Sequence, residues 1–221
     1  PGSLKAQLSV DGIRAMISFC KTHAIAHDVC GKVVVATTDN EVQALDQLAA
    51  RGNKNGLVGL RYLSAEELKL REPFVRASKA LLVPEEGIVD YKAVMHKMAD
   101  MILQHHGEIH YNISKLDVKR ESQDKIIINC NNNDKEFDQL VSCSGLWSDR
   151  NFTKLTHKKS PLKIVPFRGE YLKFKEGYED RVNHLVYPVP DTKFPFLGVH
   201  FTRMIDGSRE VGPNAVLALK R

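Results

Sequence analysis

The chain has 221 residues, enough to bury a sizeable core in one or two domains, and its 43% hydrophobic and 27% charged content is ordinary for a globular protein. No run of about 18 apolar residues occurs, which excludes a membrane-spanning helix. The formal charge of +5 is uneven, because residues 151–221 hold 13 basic and 7 acidic side chains and leave the first 150 at −1.

A basic end suits a small anionic substrate or simply a solvated face. No Lys/Arg-rich run or aromatic-basic RNA motif is present, so nucleic acid is not expected. Cys20, Cys30, Cys130 and Cys143 lack metal-type spacing; the expectation is no metal site and free, mostly buried thiols in a reducing compartment. No targeting segment is visible, and with a start at Pro1 rather than methionine the expectation is a true N-terminus outside this chain.

From Asp11, the positions Ile13, Met16, Ile17, Cys20 and Ala24 follow helical spacing, and Val33–Ala36 reads as a buried strand. Asn40 is expected to cap a second helix with Val42, Leu45, Leu48 and Ala49 inward. Ser64-Ala65-Glu66-Glu67 has the form of a capping box, and Pro73 stops the short helix that it opens. Gly87 to Asp90 introduces a helix with Val94, Met98, Met101, Ile102 and His105 on a core-facing side and Gly107 as its stop. Ile109, Tyr111 and Ile113 then alternate. Ile126–Ile128 and Leu140–Cys143 read as strands, with a polar hairpin loop over 129–135.

Ser144-Gly145-Leu146-Trp147-Ser148-Asp149 reads as a strand-turn-helix whose glycine lets another group approach the backbone, or as a plain turn. After a polar break at Lys158–Pro161 come strands over 164–174 and 185–189 and a final pair over 194–216. Arg168-Gly169 interrupts the first of them; a bulge there would turn the arginine into a pocket, and the plain alternative is a surface arginine beside a kink. In the final pair Leu197, Val199 and Phe201 alternate with Gly198, His200 and Thr202, giving one apolar face and one working face. A two-residue turn at Asp206-Gly207 would set Arg203 opposite Glu210 and His200 opposite Pro213. Arg203 then either pairs with Glu210 or, re-aimed by a bulge, joins the face of His200 to grip a carboxylate.

Phe194 to Arg203, Asp206-Gly207-Ser208 and Gly212-Pro213-Asn214-Ala215-Val216-Leu217-Ala218 closely resemble the L-2-hydroxyglutarate oxidase/dehydrogenase family of FAD flavoproteins, within the D-amino-acid-oxidase-like superfamily. The resemblance extends through Val165 to Tyr171, Tyr187 to Asp191, Gly145 to Arg150, Gly87 to Tyr91 and Pro1 to Ala6. It implies an α/β (α+β) fold: a partial FAD-binding Rossmann-like domain and an antiparallel-sheet substrate domain. The expected segments are 1–65, with cofactor-domain helices and the start of the substrate domain, 66–150, returning to the cofactor domain, and 151–221, the substrate sheet.

The resemblance further implies that Ser144, Gly145, Leu146 and Trp147 pass close to FAD and that the backbone near Lys115 meets its adenine. It implies oxidation of L-2-hydroxyglutarate to 2-oxoglutarate, with hydride passing to flavin N5, His200 as the base, Arg203 as the carboxylate clamp and Arg168, Tyr187 and Thr202 as lesser contacts. The implied partners are a small dicarboxylate substrate and an electron acceptor, with oxygen, a quinone and an electron-transfer protein all left open. The expected location is cytoplasmic, or mitochondrial in a eukaryote, with peripheral membrane association left open.

No Gly-x-Gly-x-x-Gly occurs, nor an acidic residue about 20 positions beyond one. The family carries that fingerprint before a His-Ser-Gly segment that would precede Pro1 and whose histidine is the alternative to His200 as the base, and a further segment after the last strand. The expectation is therefore the middle of a longer flavoenzyme that alone holds FAD weakly or not at all. Two rival readings stand beside this one: an amine or amino-acid oxidase on the same fold, and a non-catalytic anion-binding module.

Overall fold

The computed structural model describes residues 1–113, 116–120, 125–191 and 198–218. In chain order these residues form α1 (Leu4–Thr22), β1 (His27–Asp28), β2 (Lys32–Ala36), α2 (Asp39–Lys54), β3 (Arg61–Ser64), α3 (Ala65–Arg71), β4 (Lys79–Val83), β5 (Ile88–Val89) and α4 (Tyr91–Gln104). They continue with β6 (Leu116–Arg120), β7 (Ile126–Cys130), β8 (Asn133–Phe137), α5 (Ser148–Thr156), β9 (Phe167–Lys173), β10 (Leu185–Pro188), β11 (His200–Arg203) and β12 (Arg209–Leu217). The chain divides into two compact units, residues 1–100 with 169–215 and residues 101–168 with 216–221. Strands from both ends of the chain share one sheet.

That sheet has the order β3-β4-β2-β10-β11-β12-β9. Within it β10 with β11 and β11 with β12 pair antiparallel as expected, while β2 and β10 pair in parallel, with Lys32 beside Leu185 and Val34 beside Tyr187. The two strands are joined by about 150 residues rather than by a hairpin, and such long crossovers are what parallel pairing requires. Strand β2 is central, so alternate side chains enter separate cores. Val33, Leu82, Val186 and Phe201 pack on one face with Leu63 and Leu68. Val34, Ala36 and Leu81 pack on the other with Leu45 and Ala49 of α2.

Local capping explains the helix starts. Ser3 accepts the Ala6 N–H at 3.2 Å, so α1 begins earlier than Asp11. Thr38, not Asn40, caps α2: its hydroxyl accepts the Glu41 N–H, while the Glu41 carboxylate takes N–H groups from Thr37 and Thr38. Those donors hold the Glu41 carboxyl below the usual carboxylate range. At α3 the Ser64–Glu67 capping box forms in both arms as expected. Helix α4 ends with His106 in the left-handed region and the Gly107 N–H on the Ile102 carbonyl at 2.8 Å, so the glycine stands one place beyond the cap. Its expected core face is open: Val94 is buried, but Met98 and Ile102 are nearly half exposed.

In the second unit β6, β7 and β8 form a three-stranded antiparallel sheet. Cys130 pairs with Asn133, so the expected loop over 129–135 shrinks to Asn131-Asn132, both at positive φ, the requirement of a tight two-residue hairpin. Strand β8 is polar and exposed, so no periodicity announces it. Residues 109–113 and 140–143 form no strand, because among the described residues no neighbour pairs with them. All four cysteines are free as expected, but only Cys20 is buried and Cys143 is exposed.

Two leucines near α3 separate core from surface. Leu63→Ala, at a site 1% exposed, is expected to lower unfolding free energy in urea by about 2–5 kcal/mol. Leu70→Ala, 87% exposed, should change it by no more than about 0.5 kcal/mol.

Candidate active site

The hairpin that carries His200 is built one register step from expectation. His200 stands opposite Gly212, Thr202 opposite Glu210 and Arg203 opposite Arg209. The Met204 N–H reaches the Ser208 carbonyl at 2.9 Å and the Gly207 N–H returns to the Met204 carbonyl at 3.1 Å. The loop therefore has three residues, Ile205-Asp206-Gly207, closed by Gly207 at φ +88°. Asp206 accepts the Ser208 hydroxyl and backbone N–H, which holds its carboxyl low and tightens the turn.

This register decides which side chains share a face. The β11–β12 ladder runs unbroken from His200 to Arg203, so Arg203 lies on the Phe201 side and not beside His200. Both expected environments for Arg203 fail. It does not pair with Glu210, and no bulge re-aims it; its guanidinium instead meets the Asp28 carboxylate at 2.8 Å. Arg209, across from it, gives its Nε–H to the Val182 carbonyl, and its pKa is lowered by burial and then by Arg203.

On the opposite face His200, Tyr187 and Thr202 come together. The His200 and Tyr187 rings stack at 3.9 Å between centroids and 14° between planes. His200 is 5% exposed, and its Nδ1 lies 3.0 Å from the Gly198 carbonyl. A carbonyl only accepts, so Nδ1 carries the proton and Nε2 is the basic nitrogen of the neutral ring. A side chain at Gly198 would meet the Pro188 ring at 2.7 Å, so only glycine brings that carbonyl into place. Tyr187 hydrogen-bonds Thr202; its pKa is raised by burial first, then by Glu86 and Tyr171, so the phenol stays protonated and able to donate.

Two contributors escape sequence reading. Tyr171 lies over Gly212: a Cβ on that glycine would stand 2.7 Å from both the Tyr171 ring and the Glu170 carbonyl. Lys32 shares the face through β2, with Nζ 5.2 Å from the Tyr187 ring centroid and 2.7 Å from Glu86. The alternation of Tyr171 with Gly169 was the available signal for the first, and the position of Lys32 two residues before Val34 for the second.

The second unit holds Ser144, Gly145, Leu146 and Trp147 in one 3₁₀ turn leading into α5. The Trp147 N–H meets the Ser144 carbonyl at 3.0 Å, and the Ser148 hydroxyl meets that of Gly145 at 2.8 Å. Gly145 has φ +52° and nothing within 4 Å of where a Cβ would stand. Beside it a cavity of about 280 Å³ is lined by Ser142, Cys143 and Ser144. Arg168 is exposed near the start of β9. Lys115 lies outside the described residues. No cluster of metal-ligating side chains occurs among the described residues.

Gly212→Ala tests the crowded junction. The clash is with backbone, so thermal or urea unfolding should show a loss of about 1–3 kcal/mol; an unchanged midpoint would contradict the packing.

Comparison with known proteins agrees with this architecture. The model of a family described as FAD dependent oxidoreductase matches residues 1–218. The chain is 43% identical over its whole length to L-2-hydroxyglutarate dehydrogenases of Indibacter alkaliphilus and Escherichia coli K12, covering 55% and 52% of those proteins. It is 38% identical to the mitochondrial L-2-hydroxyglutarate dehydrogenase of Homo sapiens, covering 50% of it. The chain thus spans about half the length of these relatives. Among solved structures, FAD-bound L-alpha-glycerophosphate oxidase from Mycoplasma pneumoniae matches all of the chain and 58% of its own with a TM-score of 0.83 at 21% identity. Glycine oxidase from Geobacillus kaustophilus matches 97% of the chain and 56% of its own with a TM-score of 0.79 at 15% identity.

Proposed function

This chain belongs to the FAD dependent oxidoreductase family, and on that premise we propose that the protein containing it oxidises L-2-hydroxyglutarate to 2-oxoglutarate. The substrate follows from the named relatives. The geometric observation that carries the chemistry is the Gly198 carbonyl on His200 Nδ1, which leaves Nε2 as a fixed proton acceptor on the sheet face of Tyr187 and Thr202.

The residues present fit part of an FAD site. Gly145 presents bare backbone at positive φ with open space on its Cβ side, next to Ser144, which lines a mainly apolar cavity. Ser144 to Trp147 would hold the cofactor there through backbone and small groups, and Lys115 is proposed for the adenine side. FAD, when bound, supplies the acceptor for the hydride that leaves C2 of the substrate.

His200 Nε2 takes the proton of the C2 hydroxyl as that C–H bond breaks, so the carbon becomes a carbonyl and the proton stays on imidazole. Stacking on Tyr187 keeps the imidazole plane fixed while its charge changes. The Tyr187 phenol and Thr202 hydroxyl provide hydrogen bonds to the substrate's oxygens. Arg168 is proposed as a further carboxylate contact, whereas Arg203 serves as the ion-pair partner of Asp28. The first unit is proposed to be the substrate domain and the second a part of the cofactor domain. No described helix is long and apolar enough to cross a membrane, and the compartment follows the source, mitochondrial in a eukaryote.

The full-length protein is expected to purify yellow and to be bleached by L-2-hydroxyglutarate without oxygen. His200→Asn should slow the bleaching about 10²- to 10⁴-fold. Colourless protein, or bleaching by glycine and not by L-2-hydroxyglutarate, would contradict the reading.

A further inference from the structure

Resting on this reading of the function, we propose that Lys32 holds the second carboxylate of the substrate and so makes the site selective for a dicarboxylate. Lys32 pairs with Leu185 and Val34 with Tyr187, while Val33 and Val186 fill the opposite core, so Lys32 emerges on the His200 face. Its ammonium stands over the outer side of the Tyr187 ring, whose other side is stacked on His200.

The spacing fits a five-carbon diacid. The Lys32 ammonium is 5.2 Å from the Tyr187 ring centroid and that centroid is 3.9 Å from the His200 centroid, so the ammonium and the imidazole centre are at most about 9 Å apart. An extended C2-to-C5 distance of about 3.9 Å, with a C–O bond of about 1.3 Å and a hydrogen bond of about 2.8 Å at each end, reaches about 12 Å, enough for a bent diacid to bridge the two groups. The substrate would pass across the hydroxyl edge of Tyr187, with its hydroxyl at His200 and its far carboxylate at Lys32. A 2-hydroxy monoacid of the same length would leave the ammonium unused.

Lys32 is also equipped to do this. Its side chain is 21% exposed and opens into a cavity of about 410 Å³ whose walls include Val34, Leu81, Val83, Glu86 and Tyr187. An ammonium has three N–H donors; Glu86 takes one at 2.7 Å, and an incoming carboxylate takes another. Largely apolar walls that carry the cations Lys32 and Arg51 favour an anionic group at the end of a short methylene chain, and of the two Lys32 is the one beside Tyr187. Glu86 competes with that group for the same charge, which predicts opposite effects for the two partners.

The test compares kcat/KM for L-2-hydroxyglutarate and L-2-hydroxypentanoate in the full-length holoenzyme. Lys32→Met is expected to lower the ratio of the two about 10- to 100-fold, chiefly through the KM of the diacid, with Lys32→Arg recovering part of it. Glu86→Gln should lower the KM of the diacid. An undiminished ratio in Lys32→Met, or equal losses on both substrates that Lys32→Arg does not relieve, would overturn the proposal while leaving the oxidase reading intact. A wild-type enzyme that fails to oxidise L-2-hydroxyglutarate would remove both.

Discussion

Side chains alternate strictly across an unbroken β-ladder, and a slip of one residue between β10, β11 and β12 would exchange the two faces of this sheet. Everything proposed for the site depends on that register. With Val186 beside Phe201 and His200 opposite Gly212, one face gathers Tyr187, His200, Thr202, Lys32 and Tyr171. The other gathers Phe201, Arg203 and Arg209 above the core of Val33, Leu63 and Leu82. A glycine at 212 is what lets Tyr171 close over the strand pair, and one at 198 is what delivers the carbonyl that fixes the imidazole.

The far face shows why the register is held so firmly. Glu72, fully buried at the end of α3, accepts the Asn183 N–H at 3.0 Å and meets His184 Nδ1 at 2.5 Å. Asn183 also donates to the Arg71 carbonyl at 3.1 Å, tying the end of α3 to the residues that enter β10. A buried carboxylate without partners would cost several kcal/mol, so this cluster tolerates only one placement of β10 against the helix. Arg203–Asp28 adds a tie to β1. The charges on this side hold the scaffold, and those on the other side are available for chemistry.

Legibility in the sequence followed the physical origin of each feature. The Ser64 capping box and the β2 strand could be read directly, because local hydrogen bonding and apolar periodicity produce both. Strand β8 could not, since an exposed polar strand exists only through its neighbour. The pair of His200 with Tyr187 was accessible through resemblance, but the stack between them arises from strand order. Arg203 was misplaced because Asp206-Gly207 supports both a two-residue and a three-residue loop, and the choice moves the partner by one. Lys32 was missed because a parallel pairing across about 150 residues, invisible to local pattern, brings it to Tyr187.

The most direct measurement is a crystal structure of the full-length holoenzyme with 2-oxoglutarate bound. The account requires the C2 oxygen within about 3.2 Å of His200 Nε2, with Nδ1 still on the Gly198 carbonyl. A ligand held on the Arg203 side of the sheet, or one whose C2 oxygen is met by another base while His200 stands away, would contradict it.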